Sequence, residues 1–124
     1  MSIRVLVADD ARFMRQLIRE IIEPEGFEVV GEAADGRAAV EEFQRLAPDL
    51  VTMDIVMPKR SGIDAVKEIL ALDPTAKVAM VSALGQESLV MEALQAGASD
   101  YIVKPFKPDA VVATLRKIVE KGGA

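Results

Sequence analysis

Five residues able to do chemistry sit directly behind, or at the end of, apolar β-branched runs. Asp9 and Asp10 follow residues 3–8, Asp54 follows 49–53, Ser82 ends 77–82, and Lys104 follows 100–103. Each has an ordinary explanation when taken alone. A single acid in such a place caps a helix or favours its dipole, an acid before "MP" suits a turn, and a lone lysine is a solvated charge. Two adjacent acids exceed what a cap needs.

If the runs are strands of one sheet, three carboxylates and one ammonium converge at its mouth. Two carboxylates about 4 Å apart repel by about 4 kcal/mol at an effective dielectric of 20. A third adds to that, and one lysine cannot neutralise all three. A divalent cation can, and Mg²⁺ typically takes one or two carboxylates while keeping waters for phosphate oxygens. The remaining groups suit phosphoryl transfer. Asp54 can attack as a nucleophile, Lys104 and the cation can stabilise charge on the transferring oxygens, and Ser82 can donate a hydrogen bond to one of them.

The composition narrows the chemistry further. With no Cys and no His in 124 residues, thiolate catalysis, imidazole acid–base chemistry, disulfides and Cys or His metal ligands are excluded, leaving oxygen ligands and a hard cation. A formal charge of −5 argues against a nucleic-acid binder. No apolar run approaches the ~18 residues of a membrane span. The N-terminal run is shorter than a signal peptide's core of about 7–15 residues, and Asp9 and Asp10 interrupt it. A soluble, cytoplasmic protein without membrane partners is expected.

Residues 27–33 form a fifth strand candidate, more charged and therefore expected at an edge. Between the strands lie helical stripes. They are Phe13, Met14, Leu17, Ile18, Ile21 and Ile22, closed by Pro24; then Val40, Phe43 and Leu46/Ala47 after a candidate cap at Asp35. Ile63, Val66, Ile69 and Leu70 follow "SG"; Leu89, Val90, Ala93 and Leu94 stop at Gly97. The last is Val111, Val112, Leu115, Ile118 and Val119, with Pro108 suited to its first turn and the tail "KGGA" expected to fray. Strict β-α alternation with short connections predicts an α/β doubly wound fold, a five-stranded parallel sheet with five helices on its two faces, in a single domain over 1–124. In such sheets the ligand site lies beyond the carboxyl ends of the strands, where the five residues fall.

The segments "VADDARFMR", "DLVTMDIVMPKRSGIDAVKEI", "VSALGQ" and "AGASDYIVKPF" resemble receiver domains of two-component response regulators over the whole chain, most nearly the stand-alone chemotaxis members. The resemblance implies a flavodoxin-like sheet of order 2-1-3-4-5. It implies that Asp54 is the phosphoacceptor, that Asp10, Asp54 and the Val56 carbonyl bind Mg²⁺, and that Asp9 holds a metal-bound water. Lys104 is implied to pair with the acids and then with the phosphoryl group, and the Lys104–Pro105 bond to be cis. Ser82 would be the switch hydroxyl and Tyr101 the aromatic that turns inward with it. Implied partners are a CheA-like histidine kinase, the flagellar motor switch protein and a phosphatase of the CheC/CheX type, around a monomeric regulator with no output domain of its own. Rather than an enzyme acting on other molecules, this would be a signalling protein catalysing its own phosphorylation and dephosphorylation. A single-domain receiver of a non-chemotaxis phosphorelay stays open beside it.

Other classes fit less well. A haloacid-dehalogenase-type phosphatase needs a second acid two residues after the nucleophile, where this chain has Val56. A flavodoxin-like carrier of FMN needs a hydroxyl- and Gly-rich loop after the first strand, where Asp9 and Asp10 would repel the phosphate.

Overall fold

The computed structural model describes residues 2–122; the expected fraying of "KGGA" falls partly on residues 123–124, outside the described residues. The strands are β1 (Ile3–Ala8), β2 (Phe27–Ala33), β3 (Leu50–Asp54), β4 (Val78–Ser82) and β5 (Asp100–Val103). The helices are α1 (Arg12–Ile22), α2 (Gly36–Leu46), α3 (Gly62–Leu72), α4 (Glu87–Ala96) and α5 (Pro108–Gly122). All pairings are parallel, in the order β2-β1-β3-β4-β5, so the more charged β2 is an edge strand as expected.

Side chains alternate across a strand, and the alternation builds two cores. Leu6, Ala8, Val51, Met53, Val78 and Met80 face α2, α3 and α4. Val5, Val7, Leu50, Ala79 and Ile102 face α1 and α5. Strands buried on both faces have no polar side to show, which is why β1, β3 and β4 read as continuous apolar runs.

The ends of the elements have local causes. Asp35 caps α2, its carboxylate accepting from Ala38 N–H at 2.7 Å, and Ser61 caps α3 in the same way. Gly97 ends α4 in the left-handed region at φ 116°, where only glycine is free of a Cβ penalty.

Two expectations are corrected. The third strand is shifted by one residue: Asp54 is its last member, and Asp49 lies outside it, accepting from Arg4 N–H at 2.8 Å. Phe13 does not join the buried stripe of α1; it is 74% exposed, and the helix packs through Ile18 and Ile22 with help from Ile21. Phe13 stands in the first turn, where Arg12 and the preceding Ala11 are exposed too.

Candidate functional site

Parallel strands deliver their carboxyl ends to one edge, and backbone hydrogen bonds fix the relative heights there. Asp9 N–H donates to Ala33 O at 3.0 Å, Ile55 N–H to Val81 O at 3.1 Å and Lys104 N–H to Ser82 O at 2.7 Å. Asp54 stands in register with Val81. Asp9, Asp54 and Ser82 are buried and Asp10 is exposed.

Asp9, Asp10 and Asp54 each offer one carboxylate oxygen, and these lie within 4.8 Å of one another. Lys104 Nζ reaches in to 3.1 Å from Asp9 Oδ2 and 3.5 Å from Asp54 Oδ2. The contact with Asp9 is close but not aligned as a hydrogen bond, so the buried Oδ2 lacks a donor among the described residues. Its partner oxygen Oδ1 accepts from Ala11 N–H at 2.9 Å. Three hard oxygen donors, one of them buried and unsatisfied, beside a single ammonium fit a Mg²⁺ ion held in part by water. The Lys104–Pro105 peptide is cis, as expected.

The electrostatics agree. Burial, then the charge of Asp9, push the Asp54 carboxyl from 3.8 up to about 6; Lys104 opposes them and Asp10 adds to the rise. A carboxyl that binds its proton more tightly folded than unfolded stabilises the fold while protonated, and this is lost as pH rises from about 4 through about 6. In EDTA, Asp54→Asn should therefore match the parent near pH 4 and exceed its stability above pH 6, by roughly 1–2 kcal/mol, less than the full shift would give because water still screens the carboxyl. Millimolar Mg²⁺ should raise the parent's melting temperature at pH 7, and Asp10→Asn should remove most of that rise. Chemical denaturation at a series of pH values with and without Mg²⁺ reads both; a parent curve indifferent to Mg²⁺ would rule out the cation site.

All the acids, Ser82 and Lys104 thus meet at one edge. The Val56 side chain is exposed in the loop after β3. Tyr101 does not join the acids. It lies on β5, 43% exposed, and lines with Ser82, Leu84, Val90, Met91 and Val103 an apolar cavity of about 360 Å³.

The sequence reading missed two supporting residues. Arg15, largely buried, donates from Nη1 to the Asp9 carbonyl at 2.6 Å and from Nε to Glu32 at 2.8 Å. Glu32 also accepts from Arg19 at 2.8 Å. The Arg19 hydrogen bond, with that of Arg15, holds the Glu32 carboxyl below its ordinary range despite partial burial. This network ties the turn carrying Asp9 to β2. A basic residue on the buried side of an otherwise apolar helical stripe was its only signal in the sequence.

Gly62 is the second. Its N–H donates to Ile55 O at 2.8 Å, and a Cβ there would overlap the Asp54 carbonyl. The start of α3 therefore rests directly on the phosphoacceptor candidate's backbone. The sequence "SG" marks a helix start but not what the helix start touches.

A doubly wound parallel sheet with an acidic cluster at its carboxyl edge defines the class of flavodoxin-like receiver folds. The chain belongs to the response regulator receiver family, whose domain model matches residues 5–116. It is 55% identical over 118 residues to the chemotaxis protein CheY of Thermotoga maritima, covering 95% of this chain and 98% of that one. It is 50% identical to protein CcdB of Bacillus subtilis, covering 94% and 97%. Among solved structures, the complex of CheX with CheY, BeF₃ and Mg²⁺ from Borrelia burgdorferi contains a similar chain. The TM-score is 0.89 at 38% identity, over 94% of this chain and 88% of that one.

Proposed function

We propose that residues 1–124 form one receiver domain that acts as a phosphorylation-activated regulator of a chemotaxis pathway, with Asp54 as phosphoacceptor. The observation that carries this reading is the meeting of Asp9, Asp10, Asp54 and Lys104 at one sheet edge in a chain of this family. An Asp54 carboxylate oxygen attacks phosphorus, the O–P bond forms, and the bond to the donor's imidazole nitrogen or acetate oxygen breaks with its electron pair. Asp10, Asp54 and the Val56 carbonyl would hold Mg²⁺, with Asp9 acting through a water. The ion, when bound, neutralises charge gathering on the phosphoryl oxygens. Lys104 follows the charge from the acids to the phosphoryl group. Ser82 turns its hydroxyl toward that group, and the cavity between Ser82 and Tyr101 leaves room for the ring to follow inward.

The donor is external, since the chain has no His; a CheA-like kinase or a small acyl phosphate fits. The partner set is completed by the flagellar motor switch protein as target and a phosphatase of the CheC/CheX type. The test is intact mass after incubation with acetyl phosphate and Mg²⁺, expected to rise by one phosphoryl group. A pull-down with and without beryllofluoride then decides the pathway. Capture of a flagellar switch protein only with beryllofluoride supports chemotaxis. The second reading, a single-domain receiver in another phosphorelay, is favoured by the similarity to protein CcdB, a relative not named for chemotaxis.

The lifetime of the acyl phosphate should be long. Hydrolysis needs a water in line behind phosphorus, and Val56 and Leu84, two residues past Asp54 and Ser82, border that approach with exposed apolar side chains. Neither can orient a water, which requires polar partners. Val56→Asn with Leu84→Glu should shorten the lifetime about tenfold, equivalent to ~1.4 kcal/mol off the barrier. Decay of labelled protein after donor removal, at saturating Mg²⁺, measures it; a double variant no faster than the parent would refute this account of the lifetime.

A further inference from the structure

Ala83 is the first residue past β4, and its N–H donates to the Gln86 side-chain Oε1 at 2.7 Å. Gln86 occupies the N-cap position of α4, yet its side chain makes no capping bond to the helix. It folds back onto the loop instead.

The side of the strand to which Ala83 N–H belongs follows from the two-residue period. The Val81 carbonyl accepts from Ile55, so residue 81 turns its peptide edge to β3; the Ser82 carbonyl accepts from Lys104, so residue 82 turns its edge to β5. Alternate residues share a side, which puts the Ala83 N–H on the β3 side. There Asp54, the register partner of Val81, ends its strand. A backbone donor at this edge is suited to an anion formed on Asp54, because preorganised N–H groups stabilise such charge well. Its partner is already a side chain of its own loop.

That loop is able to rearrange. Gly85 has φ +89° with open space where a Cβ would stand, and Leu84 is 76% exposed, so neither pins the segment. The contact between Ala83 and Gln86 holds the loop across both of them.

We propose that Gln86 is a latch on the phosphoryl site: in the unphosphorylated protein its amide oxygen occupies the Ala83 N–H and competes with the phosphoryl group for that donor. The proposal rests on the reading of Asp54 as phosphoacceptor. Gln86 is a positioning residue, since it acts through the backbone of Ala83 and the loop that follows Ser82.

The test is titration of beryllofluoride at saturating Mg²⁺ into the parent, Gln86→Ala, Gln86→Asn and Gln86→Glu, read from the Tyr101 ring and Ala83 amide resonances. The Ala and Asn variants should bind about fivefold more tightly, the equivalent of ~1 kcal/mol for one neutral hydrogen bond. Asn keeps the amide but is one methylene too short, which separates reach from polarity. Glu should bind more weakly than the parent, because a carboxylate accepts more strongly from an N–H. In beryllofluoride-free protein, Ala83 amide exchange should speed up in the Ala and Asn variants, a change that a remote effect on folding would not confine to this amide. A parent that binds while Ala and Asn bind equally well overturns the latch alone. A parent that binds nothing overturns the phosphoacceptor reading, and the latch with it.

Discussion

Asp54→Asn is expected to take up no phosphoryl group from acetyl phosphate under conditions in which the parent is labelled to completion. The amide matches the carboxylate in shape, so the backbone bonds that fix the end of β3 remain, but it is not a nucleophile for phosphorus at neutral pH. Removing the attacking group should slow uptake by at least about a thousandfold. The parent's label should be labile to hydroxylamine, as an acyl phosphate is. The two neighbouring acids sharpen the test. Asp10 is exposed and Asp9 is buried with one oxygen engaged by Ala11 N–H, so each belongs to the same acidic cluster without standing at the end of β3. Label that persists in Asp54→Asn, on either of them, would refute the assignment. The same variant in EDTA should be more stable than the parent at pH 7, so loss of labelling cannot be ascribed to unfolding.

Gly62→Ala should carry the largest stability effect of any single methyl addition near the site. A Cβ at this position overlaps backbone atoms of Asp54 and lies 3.0 Å from the Ile55 Cα, and a strand in the centre of the sheet cannot move aside as a side chain tip can. Either α3 lifts off β3, breaking the Gly62 N–H to Ile55 O bond, or the end of β3 shifts and carries Asp54 with it. Forced overpacking costs typically 1–3 kcal/mol, and more where backbone must move; about 3–5 kcal/mol is expected here. Urea denaturation measures it. Mg²⁺ affinity should fall as well, because the displaced atoms belong to a candidate ligand. An Ala variant within about 0.5 kcal/mol of the parent, with unchanged Mg²⁺ affinity, would show that the contact yields without consequence.

The order of elements and the kinds of side chain at strand ends were legible in the chain because they are local. A strand buried on both faces is mostly apolar, so β1, β3 and β4 announced themselves despite Arg4 and Thr52, and the residue after each run was then a candidate for the sheet's edge. Asp35 before "GRAAV" and Gly97 after "LQA" were readable as cap and stop, because capping uses atoms within a few residues of each other. Boundaries were less certain: Asp54 proved to be the last residue of β3 because its strand bonds run to β4, a partner chosen by the tertiary fold. Phe13 misled for a related reason. Periodicity tells which face of a helix is apolar but not which turns of that face the core covers, and the first turn of α1 leaves Phe13 exposed.

Composition and local pattern restricted the chemistry available to oxygen ligands, with acids, a hydroxyl and a lysine at or just behind strand ends. Which of these groups share a few ångströms, and what holds them there, depends on how the strands and helices pack. Strand order came from resemblance rather than from pattern, because side-chain periodicity is the same whichever neighbour a parallel strand takes. The clasp of Arg15 on the Asp9 carbonyl, the seat of Gly62 on Asp54 and the bond from Ala83 to Gln86 involve backbone atoms, and backbone atoms are alike at every position of a sequence. Each pair lies only three to eight residues apart, but which backbone atom faces which is set only when strand, turn and helix take their places in the fold.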